Sequence, residues 1–67
     1  MVRIENERAK NVLDLQVSTV GELPAIGSVI GKKTVGAGSV AQVIQAGSFY
    51  TLDESGTWYD ENGDAAS

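Results

Sequence analysis

The sequence contains no cysteine and no histidine, a single proline and four aromatic residues in 67 positions. Each scarcity removes a class of explanation. Without thiols there is no disulfide to staple the fold, and without imidazole or thiolate the ordinary zinc sites and the common nucleophile–base pairs have no members. No apolar run approaches the roughly 20 residues of a membrane-spanning helix. The opening residues Met1 to Arg8 lack the apolar stretch of a secretory signal, so the chain is expected to be made without an export signal and to have no membrane partner. Bases are absent after Lys33: residues 1–33 carry Arg3, Arg8, Lys10, Lys32 and Lys33 against four acids, whereas residues 34–67 carry five acids and no base, for a net charge of −4. Nucleic-acid binding needs a cationic footprint that displaces counterions from phosphate, and this distribution does not supply one.

What remains is a small chain with a thin core. A domain of this size buries only about 60% of the surface its unfolded form exposes. With disulfides and zinc excluded, a partner surface is the supplement left to it.

The richest stretch is Gly38 to Asp60, which reads as three short antiparallel strands. Val40–Gln45 is β-branched and apolar, Ser48–Leu52 is aromatic and alternating, and Thr57–Tyr59 contains the only Trp. Ala46-Gly47 spaces the first two as a two-residue hairpin. Asp53-Glu54-Ser55-Gly56 spaces the second pair as a type I turn closed by a left-handed Gly. Upstream, Leu13, Leu15 and Val17 alternate with Asp14, Gln16 and Ser18, which predicts a further strand with one apolar face. Thr19-Val20-Gly21-Glu22 has capping-box spacing, and Leu23-Pro24 limits any helix there to one turn, of 3₁₀ type. Residues 25–38 are glycine-rich, with Val29-Ile30 and Thr34-Val35 as strand fragments around a turn at Gly31-Lys32. The expected architecture is mainly β: a small antiparallel meander of three to five short strands, with a Gly-rich loop. Residues 1–11 form an extended N-terminal arm, 12–60 the single β domain, and 61–67 a flexible acidic tail.

Chemical motifs are few. Gly36-Ala-Gly38-Ser-Val-Ala41 has the spacing of a dinucleotide fingerprint, but the following residues are too short and too β-branched for the required crossover helix. Asp60-Glu61-Asn62-Gly63-Asp64 opens like a calcium loop and lacks its closing Glu. Asp53, Glu54 and Asp60 lie on turns, where no cleft separates their pKa values as acid–base catalysis demands. The serines have no His to activate them, and Lys32 and Lys33 read as solvated loop charges. The expectation is a chain with no catalytic residue, no metal and no cofactor. The aromatic residues occur as the adjacent pairs Phe49-Tyr50 and Trp58-Tyr59, so one ring of each pair points to each face of the sheet. Phe49, Tyr50, Trp58 and Tyr59 are therefore the candidate partner-binding residues, since Tyr and Trp are enriched where proteins meet.

Glu22-Leu23-Pro24, the glycine-rich stretch, Gly38-Ser39-Val40-Ala41-Gln42-Val43-Ile44, Gly47-Ser48-Phe49-Tyr50 and Asp53-Glu54-Ser55-Gly56-Thr57-Trp58-Tyr59 together resemble a pattern in small bacteriophage structural proteins. There such a meander is a free-standing protein of heads or tails or a module of a fibre. The resemblance covers roughly residues 17–60 and brings no catalytic residue. It implies a virion-associated accessory protein, such as a capsid-decorating or tail protein, made in the bacterial host cytoplasm. Such a chain binds capsid or tail subunits or self-associates, a trimer being one closed form. A glycan- or ligand-binding module of a fibre-type protein, using Trp58, Tyr50 and the glycine loop, is the alternative.

Overall fold

A computed structural model describes residues 2–66 and is mainly β. The principal sheet has five strands: β1 (Val2–Ala9), β2 (Val12–Val17), β5 (Val40–Val43), β6 (Ser48–Leu52) and β7 (Trp58–Asp60). They lie in the order β1-β2-β5-β6-β7. A separate pair, β3 (Val29–Ile30) and β4 (Lys33–Thr34), forms a minimal hairpin. From β5 to β7 the sheet is an antiparallel meander. The pairing of β2 with β5 is parallel, so residues 18–39 cross from one end of the sheet to the other.

Three segments differ from the sequence expectation. The N-terminal arm is instead strand β1, antiparallel to β2 with Ile4 opposite Leu15. Its register slips between Ile4 and Asn6 and again between Glu7 and Ala9. Two irregularities in eight residues blur the period-2 signal that identifies a strand. The acidic tail is not loose through residue 66. Asp60 N–H donates to Asp64 O at 2.9 Å, Ala66 N–H donates to Trp58 O at 2.7 Å, and Ala65 bridges Tyr59. Small polar residues gave this segment no apolar pattern, and it is held by these backbone bonds and by Ala66 against the core. The β5–β6 connection has four residues, not two: the strand ends at Val43, and Gly47 N–H reaches back to Val43 O at 2.9 Å.

Other local features follow the residues closely. The β2 side chains alternate half-buried and buried, with Leu13, Leu15 and Val17 inward. A single 3₁₀ turn occupies Val20–Glu22, and the Glu22 carboxylate accepts from the backbone N–H of Ser18 at 3.0 Å and Thr19 at 3.1 Å. Gly31 and Lys32 both have positive φ, 54° and 74°, the two-residue geometry that suits the twist of a tight hairpin. At the Asp53 turn, Gly56 N–H donates to Asp53 O at 2.9 Å, and Gly56 has a φ of 90°.

The crossover closes over one face of the sheet. Leu13, Leu15, Val35, Ala41, Leu52 and Trp58 make the core cluster, against which Ile4, Leu23, Ile30, Tyr50 and Ala66 pack. The crossover is pinned where it returns. Gly36 N–H donates to Asn11 O at 2.7 Å, and the wholly buried Ser39 hydroxyl accepts from Leu13 N–H at 3.1 Å while lying 3.3 Å from Asn11 O. Thus the glycine-rich stretch, expected as a loop, is the lid of the core and contributes the fully buried Val35.

Candidate functional site

Because directly paired residues in neighbouring strands point to the same side, the register assigns each side chain to a face. Leu15 with Ala41, Val17 with Val43 and Leu52 with Trp58 mark the covered side. The opposite side carries two rows: Asp14, Val40, Thr51 and Tyr59 in one, and Arg3, Gln16, Gln42 and Phe49 in the other. Ile44 continues the same alternation beyond β5. Nothing among the described residues covers this face, on which Phe49 is 53% exposed, Ile44 47% and Tyr59 37%.

The four aromatic candidates therefore divide. Phe49 and Tyr59 point outward and are diagonal neighbours on one face. Trp58 is 6% exposed and belongs to the core, and the half-buried Tyr50 packs against that core. Those two rings are structural in the folded chain, and neither belongs to the uncovered face. The residues that replace them, Val40 and Ile44, escaped the sequence reading. Their alternation in Val40-Gln42-Ile44 was visible, but which row faced outward depended on the parallel partner β2.

Polar groups organise the other half of the face. Arg8 Nε lies 2.8 Å from Asp14 Oδ1, and Gln16 Nε2 donates to Gln42 Oε1 at 3.1 Å across the parallel pair. Between these groups runs a shallow groove of about 420 Å³, with Glu5, Arg8 and Asp14 on one side, Val40 and Gln42 on its floor, and Phe49 as the opposite wall. The result is an apolar ridge beside a charged, partly apolar trough. Such a surface suits protein contact, in which an aromatic anchor is framed by polar groups.

The sheet edges are less suited to pairing. At β7 the far edge is taken by residues 64–66, as the hydrogen bonds above require. At β1 the free edge bears Arg3, Glu5, Glu7 and Arg8 and is bent by its two irregularities, both of which oppose strand addition. Association by face is thus favoured over association by edge.

The remaining chemical candidates have structural roles. Asp60 Oδ1 accepts from the N–H groups of Asn62 and Asp64, each at 2.9 Å, so this carboxylate closes its own loop. Among the described residues no three His, Cys, Asp or Glu side chains converge as metal ligands. Asp53 has its pKa held below the ordinary aspartate value, chiefly because the Ser55 hydroxyl donates to it at 2.7 Å and then because Ser55 N–H donates at 3.3 Å. This pairing stabilises a turn tip exposed to solvent. Lys33 Nζ pairs with Glu7 Oε1 at 2.7 Å and fastens the β3–β4 hairpin to β1. A second groove, of about 340 Å³, lies beside Trp58 between Val20, Leu23 and Gly56. No family model, curated protein or solved structure matches this chain.

Proposed function

We propose that the chain is an accessory protein of a bacteriophage particle, working by adhesion to other virion subunits of the capsid or tail. Two things support this reading. Roughly residues 17–60 resemble phage structural meanders, and among the described residues nothing covers one face of the five-stranded sheet, with Phe49, Ile44 and Tyr59 on it. The uncovered face carries the argument, since a 67-residue chain with so thin a core gains from burying it. The reading entails no catalysis and neither a nucleic-acid nor a membrane partner. A photo-cross-linking residue placed at Phe49 tests it: in assembled particles it should capture a virion protein, whereas the same residue at the turn position Glu54 should not. Equal yields at both positions, or none at Phe49, would remove the face from the account.

The groove beside Trp58 favours a second reading, a module that takes a glycan or other small ligand. Trp58 is among the residues that border it, so a bound ligand would change Trp fluorescence saturably. Titration with cell-wall sugars should give no such change if adhesion through the opposite face is the function.

A further inference from the structure

Asn62 is the one asparagine of this chain that precedes a glycine; Asn6 precedes Glu7 and Asn11 precedes Val12. The difference is chemical. The main-chain nitrogen of the following residue can attack an asparagine carboxamide carbon, and a Cβ on that residue hinders the approach, which glycine does not. At Asn62-Gly63 the surroundings leave the approach open. Both residues are exposed, a Cβ built on Gly63 would meet nothing within 4 Å, and the Asn62 carboxamide takes no hydrogen bond among the described residues. Asn11 is the opposite case, followed by a β-branched residue and with its carbonyl oxygen accepting from Gly36 N–H at 2.7 Å.

The Gly63 N–H donates to Asp60 O at 3.0 Å, so its nitrogen attacks only when the turn opens. Opening is a small event, because the loop bonds converge on one residue. Asp60 Oδ1 accepts from Asn62 and Asp64, its carbonyl accepts from Gly63, and its N–H donates to Asp64 O. An exposed segment held by a few backbone bonds opens at low free energy while the rest of the sheet stays formed.

We propose that Asn62-Gly63 is a site of self-modification: the folded chain loses the Asn62 amide as ammonia, and the product releases residues 64–66 from the edge of β7. The step needs no reactant but water. Gly63 N bonds to Asn62 Cγ, the Cγ–Nδ2 bond breaks, and the proton of Gly63 N leaves with Nδ2 as ammonia. Water then opens the cyclic imide. Cleavage at the former main-chain carbonyl leaves Gly63 N on Cγ, an isoaspartyl link with one more methylene in the main chain, whereas cleavage at Cγ leaves an ordinary aspartate. Either product adds a carboxylate next to Asp60, Glu61 and Asp64, where like charges repel. The isoaspartyl link also spoils the register of the fold-back, since the bonds from Asp60 N–H to Asp64 O and from Ala66 N–H to Trp58 O both span it. With residues 64–66 released, the β7 edge is bare, and Ala66 leaves the core beside Trp58, where it borders the second groove. This holds whatever the outer face binds.

The chain kept in warm neutral buffer provides the test. Mass spectrometry should show an amide converted to an acid at residue 62, with isoaspartate among the products and Asn6 and Asn11 unchanged. Asn62→Gln, whose longer side chain must close a larger and less favoured ring, should show no conversion over the same period. The modified chain, separated by its extra negative charge, should exchange the Ala66 amide hydrogen faster than Asn62→Gln aged alongside it. Its Trp58, the only Trp, should also be more open to quenching by acrylamide. A parent that keeps its Asn62 amide for as long as the same chain unfolded in urea takes to lose it overturns the site. A modified chain with unchanged Ala66 exchange and Trp58 quenching overturns the release.

Discussion

The indole Nε1 of Trp58 donates to the carbonyl oxygen of Pro24 at 2.7 Å, joining the last strand to the crossover across 34 residues of sequence. The ring also fills the core between Leu52 and the crossover, so one side chain closes the lid over the sheet. Trp58→Ala should cost about 3–5 kcal/mol, enough to leave so small a domain largely unfolded. Trp58→Phe keeps most of the burial and leaves the Pro24 carbonyl without its donor, for a loss of about 1–3 kcal/mol. Urea denaturation followed by circular dichroism checks both. A Trp58→Ala chain that melts with the parent would contradict the placement of the ring.

Gly36 is required by space and not by an unusual φ. A Cβ there would lie 2.7 Å from Asn11 O and 2.8 Å from Asn11 Cβ, against backbone that also accepts the Gly36 N–H. Gly36→Ala should therefore push the crossover off the β1–β2 turn, at a cost of about 3 kcal/mol. Gly47 has a φ of 67° but open space around it, so Gly47→Ala should cost only about 1 kcal/mol of backbone strain. The order of the two midpoints in denaturant checks the assignment.

The Ser39 hydroxyl accepts from the Leu13 N–H at 3.1 Å, and no buried side-chain polar atom is left unpaired among the described residues. Ser39→Ala removes an acceptor from a site with no solvent access, and the expected cost is about 1–3 kcal/mol. Amide hydrogen exchange at Leu13 should accelerate along with the loss in stability. Unchanged exchange would mean that the hydroxyl does not bear on β2.

Asp53 gives a pH signature. Its folded pKa lies below the ordinary value because Ser55 donates to the ionised form. The associated stabilisation is present above the ordinary aspartate range and is lost as pH falls through the folded pKa. Ser55→Ala should move the Asp53 titration upward towards the ordinary value, read by NMR of its carboxyl carbon. Parent and variant should converge in turn stability once the pH is below both titrations.

The sequence made the β-rich class and the positions of β2, β6 and the Asp53 turn readable, because each rests on local signals: alternation, aromatic content and turn residues. The β3–β4 hairpin was also legible to within one residue, from Gly31-Lys32. The parallel pairing of β2 with β5 was not, since no local pattern distinguishes a strand's neighbour. That single pairing decides which row of Val40-Gln42-Ile44 is outside. The split of each adjacent pair, Phe49-Tyr50 and Trp58-Tyr59, between the two faces was readable, but which ring of each met solvent was not, because that needs the register between strands. Strand β1 was hidden by its two irregularities, and the fold-back of residues 61–66 because backbone bonds and the Asp60 carboxylate hold most of it and leave no apolar pattern.

The central claim is that the uncovered face of the sheet is where this chain meets protein. The most direct measurement is the retention of Phe49→Asp on assembled phage particles, with the variant's fold confirmed by circular dichroism. The account predicts a drop of about tenfold or more in bound chain relative to the parent, as loss of an aromatic anchor produces. A folded variant retained as well as the parent would contradict it.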